Sequence, residues 1–227
     1  MQSEHCKVSP LHACKEKEMD VMVLIDSFKG SMTSMEAGNA ARDGVLRVYP
    51  HANVTVRPLA DGGEGTTDAL IEGLGGRKVE LSVTGPMGSR VEAYYGILAD
   101  EKTVVMEMAQ AAGITLVEET QKNPGKATTY GVGEMIRDAV SRGYRKFIIG
   151  IGGSATNDGG IGMLRALGVK FLTKDGEEAG EGADALGKIH FVSLEHLMPE
   201  LKECDFQIAC DAVSYTHLRA HETLSDL

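Results

Sequence analysis

No two cysteines of this 227-residue chain stand at C-x-x-C spacing, so Cys6, Cys14, Cys204 and Cys210 read as free thiols and exclude a zinc knuckle or a redox pair. No apolar run approaches the ~18 residues of a membrane span. Met1 to Glu18 is polar and lacks the charged-then-apolar order of a signal peptide, so the expected location is cytoplasmic, with no membrane partner. Basic residues are in the minority, 23 against 33 acidic ones, and the net charge of −10 argues against a surface that wraps nucleic acid. A Walker A sequence is missing, as is the protein-kinase set of glycine loop, catalytic Asp and metal Asp, which excludes the two commonest ATP sites. The seven histidines form no H-E-x-x-H or H-x-x-E-H group and there is no G-x-S-x-G elbow, so zinc hydrolysis and esterase chemistry lack support. His190 and His196 read as surface residues. Neither a solenoid repeat nor a low-complexity tract occurs.

What is present is a globular balance, 42% hydrophobic and 25% charged, in a chain long enough for one large domain or two small ones. Its 28 glycines are grouped in a few loops, the places where backbone must turn with positive φ or lie against an anion. The continuous apolar run Val21–Ile25 has the texture of a buried parallel strand. Thr33 and Glu36 then stand at capping-box spacing, and Ala37, Ala41, Val45 and Val48 repeat at helical intervals up to Pro50. A strand over Asn53–Pro58, a glycine loop and a helix from Thr66 to Gly75-Gly76 continue the βα alternation. From Lys78 the texture changes to three strand-like runs, Lys78–Thr84, Arg90–Leu98 and Thr103–Met108, which predict an antiparallel portion. Beyond Asn123-Pro124 come a helix carrying Val132, Met135, Ile136, Ala139 and Val140, a strand Phe147–Ile151, the loop Gly152–Gly160, a helix through Leu167 and a strand Val169–Leu172.

Three loops carry chemistry, each at the end of a strand and ahead of a helix, where α/β sheets bind ligands. Asp26-Ser27-Phe28-Lys29-Gly30-Ser31 offers a cation, two hydroxyls and a close-approach glycine to an anion, and Asp26 can hold a metal-bound water or accept a proton. Its plain reading is an Asx or Ser turn with a solvated lysine. Asp61-Gly62-Gly63-Glu64-Gly65-Thr66 sets two carboxylates among three glycines, suited to a phosphate or Mg²⁺ and equally able to be a tight turn. Gly150 to Gly160 contains Gly152, Gly153, Ser154, Asn157, Asp158, Gly159 and Gly160. Its loose G-x-G-x-x-A match is a weak dinucleotide signal, because the helix does not open directly on the glycines. A phosphate or substrate loop fits better, with Asn157 and Asp158 ligating Mg²⁺ or orienting substrate and the next helix N-terminus facing the anion.

Taken together these stretches resemble the glycerate kinase family, in particular its bacterial glycerate 2-kinase type. The likeness rests on D-S-F-K-G-S, A-D-G-G-E-G-T and G-I-G-G-S-A-T-N-D-G-G in order, with V-T-G-P-M-G at Val83–Gly88, T-T-Y-G-V-G-E at Thr128–Glu134 and A-C-D at Ala209–Asp211. It covers the chain from Met19 to Asp211. The resemblance implies a two-domain α/β fold, a flavodoxin-like domain with a second α/β domain inserted, and transfer of the γ-phosphate of ATP, with Mg²⁺, to a hydroxyl of D-glycerate, the 2-position favoured. The expected segments are 1–18, an extension without family counterpart; 19–77, the first part of the flavodoxin-like domain; 78–211, mainly the inserted domain; and 212–227.

Carried over position by position, Lys29, Asp61 and Asp158 are the catalytic candidates. Asp26, Ser27, Gly30, Ser31, Gly62, Gly63, Glu64, Gly65, Thr66, Gly152, Gly153, Ser154, Asn157, Gly159 and Gly160 are the substrate- or phosphate-binding ones. Lys29 is assigned to charge neutralisation, and Asp158 or its rival Asp61 to the metal or the substrate proton. Segment 212–227 matches no family segment and reads as translated adapter or vector sequence, so a C-terminally truncated reading frame is the expectation. The rival functions are a non-catalytic remnant of that enzyme and, more distantly, a nicotinamide-dependent oxidoreductase. Oligomeric state is left open.

Overall fold

The computed structural model describes residues 19–26, 28, 31–59 and 62–210. Strands β1 (Asp20–Ile25) and β2 (Asn53–Pro58) pair in parallel and end level, Ile25 opposite Pro58. Between them runs α1 (Ser34–Val48), which starts where the sequence places a capping box. The Thr33 hydroxyl accepts from the Glu36 amide at 3.2 Å and the Glu36 carboxylate accepts from the Thr33 amide at 2.8 Å. The outer side of β1 leaves Met22 and Leu24 exposed.

After α2 (Thr66–Leu74) the chain builds a five-stranded sheet from β3 (Gly76–Thr84), β4 (Arg90–Leu98), β5 (Thr103–Glu107), β6 (Lys146–Gly150) and β9 (Asp205–Ala209), in the order β3-β4-β5-β6-β9. The antiparallel portion expected from Lys78 onward is real, but it is one edge of a mixed sheet: β3, β4 and β5 pair antiparallel, whereas β5, β6 and β9 run parallel. Residues of opposite parity on a strand face opposite sides. On β4, Ala93, Tyr95 and Ile97 join the core with Met135 and Ile136 of α4 (Tyr130–Ser141) and Ala111 of α3 (Ala109–Ala112). Gly96 faces the other way and leaves room for Thr67 and Ile71 of α2. That helix packs on β4 and β5 and also on β2, so it links the small sheet to the large one. α5 (Ile161–Ala166) lies against α4, and β7 (Lys170–Leu172) pairs antiparallel with β8 (Phe191–Ser193). Cys204 and Cys210 are free thiols, and His190 and His196 are exposed.

The turn from β4 to β5 carries a testable acid. The Asp100 carboxylate accepts from the Thr103 hydroxyl at 2.7 Å and from the Lys102 and Thr103 amides at 2.9 Å each. Led by the hydroxyl, these donors hold its pKa at about 2, below the ordinary 3.8. A depressed carboxyl stabilises the fold above its unfolded pKa and loses that contribution as pH falls through the folded value, so this turn should loosen between about pH 4 and pH 2. A carboxyl-detected NMR titration should place the Asp100 midpoint near 2; a midpoint at 3.8 would show that the turn does not bind its charged form.

Candidate active site

The three parallel strands of the large sheet end in register, Glu107 of β5 beside Gly150 of β6 and Gly150 beside Ala209 of β9. Across these ends lies the loop Gly62–Gly65. Its Gly62 carbonyl accepts from the Gly152 amide at 2.9 Å, and its far side, the Gly65 amide, donates to Glu107 Oε2 at 3.0 Å. The contact is backbone against backbone. A Cβ on Gly62 would lie 2.3 Å from the Ala209 carbonyl oxygen, one on Gly150 2.5 Å from the Gly62 oxygen, and one on Gly152 2.7 Å from Gly63 Cα. Two of the glycine-rich loops read from the sequence are thus a single packed seam. Thr66 holds its near side, its buried hydroxyl accepting from the Gly62 amide at 3.1 Å.

The first loop faces the same region from the small sheet. Asp26 follows the Ile25 carbonyl, which accepts from the Ser34 hydroxyl at 2.7 Å and the Leu59 amide at 3.1 Å. Phe28 and Met32 close a turn by reciprocal backbone bonds of 2.8 and 3.0 Å. Asp26 and Ser31 line a cavity of about 410 Å³ together with Glu64, Gly65 and Asp68, its remaining wall including the apolar side chains of Phe28, Met32 and Met35.

Asp158 occupies a different setting. It is 1% exposed, and its Oδ2 accepts from the Thr129 amide and the Thr129 hydroxyl, both at 2.8 Å, and from the Gly162 amide at 3.1 Å, while Oδ1 accepts from the Gly160 amide at 3.0 Å. One carboxylate therefore ties the start of α4 to the start of α5, with the Met163 amide donating to the Thr129 hydroxyl oxygen at 2.9 Å. Oδ2 takes three protein donors and Oδ1 one, so the role this geometry shows is a tie between two helix starts. The sequence places an anion at the N-terminus of α5; the anion that the structure sets there is Asp158 itself. Asn157 is exposed at the loop surface and Ser154 hydrogen-bonds Thr156 at 2.7 Å. Among the described residues no group of three His, Cys, Asp or Glu side chains is arranged to hold a metal ion.

Comparison with known proteins settles the family. A glycerate kinase family model matches residues 21–215. The chain belongs to the glycerate kinase family. Among curated relatives of glycerate kinases, a glycerate kinase of Halalkalibacterium halodurans is 43% identical over 191 residues, 84% of this chain and 50% of that protein. A glycerate 2-kinase of Escherichia coli K12 is 41% identical over 196 residues, 86% of this chain and 51% of that protein. A crystallised protein assigned as glycerate kinase 2 from Salmonella typhimurium LT2 superposes with a TM-score of 0.75 at 40% identity, covering 86% of this chain and 52% of its own, which supports the α/β architecture. The chain spans about half the length of the glycerate kinases it matches.

Of the candidates, the structure brings Gly62, Gly63, Gly65 and Thr66 together with Gly152, and Asp26 and Ser31 together with Glu64. Gly153 borders this seam, its carbonyl accepting from the Ile114 amide at 2.9 Å. Asp158, Gly159, Gly160 and Asn157 do not line the cavity. Ser27, Lys29, Gly30 and Asp61 lie outside the described residues. Sequence reasoning missed Glu107 and Thr129. Glu107 could have been noticed as a charge closing the apolar run Val104–Met106, and Thr129 as a hydroxyl just ahead of the α4 pattern.

Proposed function

We propose that this chain carries part of an ATP-dependent glycerate kinase, which transfers the γ-phosphate of ATP to the 2-hydroxyl of D-glycerate and releases ADP and 2-phosphoglycerate. The observation that carries the proposal is the seam in which the Gly62–Gly65 loop crosses the carboxyl ends of β5, β6 and β9, next to the cavity it shares with Asp26. Phosphoryl transfer asks the protein chiefly to align its two substrates and offset charge. Magnesium bound to ATP would offset phosphate charge as part of that substrate. In this reading Lys29 neutralises phosphate or carboxylate charge. Asp61 takes the substrate hydroxyl proton, while Asp26, Ser27, Ser31 and Glu64 orient the polar groups of the acid. The glycines of the two packed loops allow close approach of the phosphates, and Asp158 acts through structure, by holding the start of α5 beneath the loop it closes.

A second reading has its own support. The chain's half-length match and the exposed Met22 and Leu24 on β1 fit a non-catalytic remnant. A coupled assay of ADP release with D-glycerate and MgATP separates the two, with ³¹P NMR of the product fixing the position of the ester. Turnover to 2-phosphoglycerate defeats the remnant reading; a folded chain with no turnover above background defeats the kinase reading for this chain. The nicotinamide reading gains nothing here, because α5 begins at Ile161, well beyond the glycines of its loose motif.

A further inference from the structure

Glu107 is fully buried at the end of β5 and has no part in the steps assigned above. An ionised carboxylate taken out of water costs several kcal/mol unless donors meet it. Its donors are two main-chain amides on either side of the α2 start, Gly65 to Oε2 at 3.0 Å and Thr67 to Oε1 at 2.6 Å. Burial pushes the Glu107 carboxyl above its ordinary range, and these amides pull it part of the way back. The bonding continues outward: the Thr66 hydroxyl, between those amides, holds Gly62, and the Gly62 carbonyl holds Gly152. An ordinary helix cap would end at the first turn of α2; this one extends through the glycine loop to the neighbouring loop.

We infer that Glu107 is a positioning residue that locks the Gly62–Gly65 loop, and Glu64 with it, in one shape over the ends of β6 and β9. Its purpose rests on the kinase reading, in which a preshaped glycine loop meets the phosphates without first having to order; its geometry does not.

Hydrogen exchange on the full chain tests it. Glu107→Gln keeps the length but turns one acceptor oxygen into an NH₂ group facing an N–H. Exchange at the Gly62, Gly63, Gly65 and Gly152 amides should then rise by about tenfold or more, the factor carried by one hydrogen bond to a charged group. Val104–Met106 should keep their protection. If Glu107→Gln does not fold, Glu107→Asp, which retains the charge on a side chain one methylene shorter, is read in the same way. Unchanged protection at the loop, or protection lost evenly along the sheet in the variant that folds, overturns the inference. Absence of ADP release from the unaltered chain counts against the kinase reading alone and leaves the exchange result standing. In a chain that turns over, Glu107→Gln should lower kcat more than it changes the KM for ATP, and an unchanged kcat would remove the positioning role.

Discussion

Asp158→Ala is expected to cost roughly 3–5 kcal/mol of folding stability, since a buried donor left without its acceptor costs about 1–3 kcal/mol and several are affected together. The change would strip four donors of their acceptor at once: the Thr129 amide and hydroxyl, and the Gly160 and Gly162 amides. Against a total of about 5–15 kcal/mol for a domain, such a loss should shift the urea midpoint strongly. Asp158→Asn should fall between, because an amide oxygen at the Oδ2 position can still serve Thr129 and Gly162 while its NH₂ opposes the Gly160 amide. Stability equal to the unaltered chain in both variants would sink the clasp. An Asn variant that is fully stable yet has lost all turnover would return Asp158 to the chemistry.

Gly62→Ala should be nearly as damaging, for a different reason. The residue sits at φ +86°, and its added Cβ would meet the Ala209 carbonyl oxygen at 2.3 Å. A left-handed alanine costs about 1–2 kcal/mol and overpacking typically about 1–3, so roughly 2–5 kcal/mol is expected, along with loss of any turnover that depends on the seam. Gly65 is the internal control. It has φ +93° but open space around the position of a Cβ, so Gly65→Ala should carry the conformational part alone. Equal thermal midpoints for the two variants would show that the close contact at Gly62 has no energetic weight.

Local patterns are legible in the sequence where their causes are local. Thr33 and Glu36 mark the start of α1 because a capping box is a matter of adjacent residues, and the bounds of β2 and β4 follow from apolar runs cut by turn chemistry. The joining of the antiparallel strands to β6 and β9 is a pairing across dozens of residues, invisible in any one strand. β9 and β8 are also not marked in the sequence, the latter only a three-residue strand. The glycine loops stood out because glycine spacing is itself the signal. Asp158 reads as a group for the metal or the substrate proton because a carboxylate among glycines has that look; Thr129, which donates to it twice, lies 29 positions earlier. Glu107 draws no notice inside the run Thr103–Met108, since nothing beside it announces that the start of α2 folds over it.

Each helix that follows a glycine or serine loop here has amides at its start that donate to the protein's own side chains. Glu36 and Thr33 close α1, Glu107 closes α2, and Asp158 closes both α4 and α5. In the kinase reading proposed above, an incoming anion would therefore rely on cationic side chains such as Lys29 rather than on these helix starts or on the Gly62, Gly65 and Gly152 amides, which are bonded within the protein. Recognition built on such point charges weakens as electrolyte is added, because its range is the Debye length of about 8–10 Å rather than the reach of a sealed dipole.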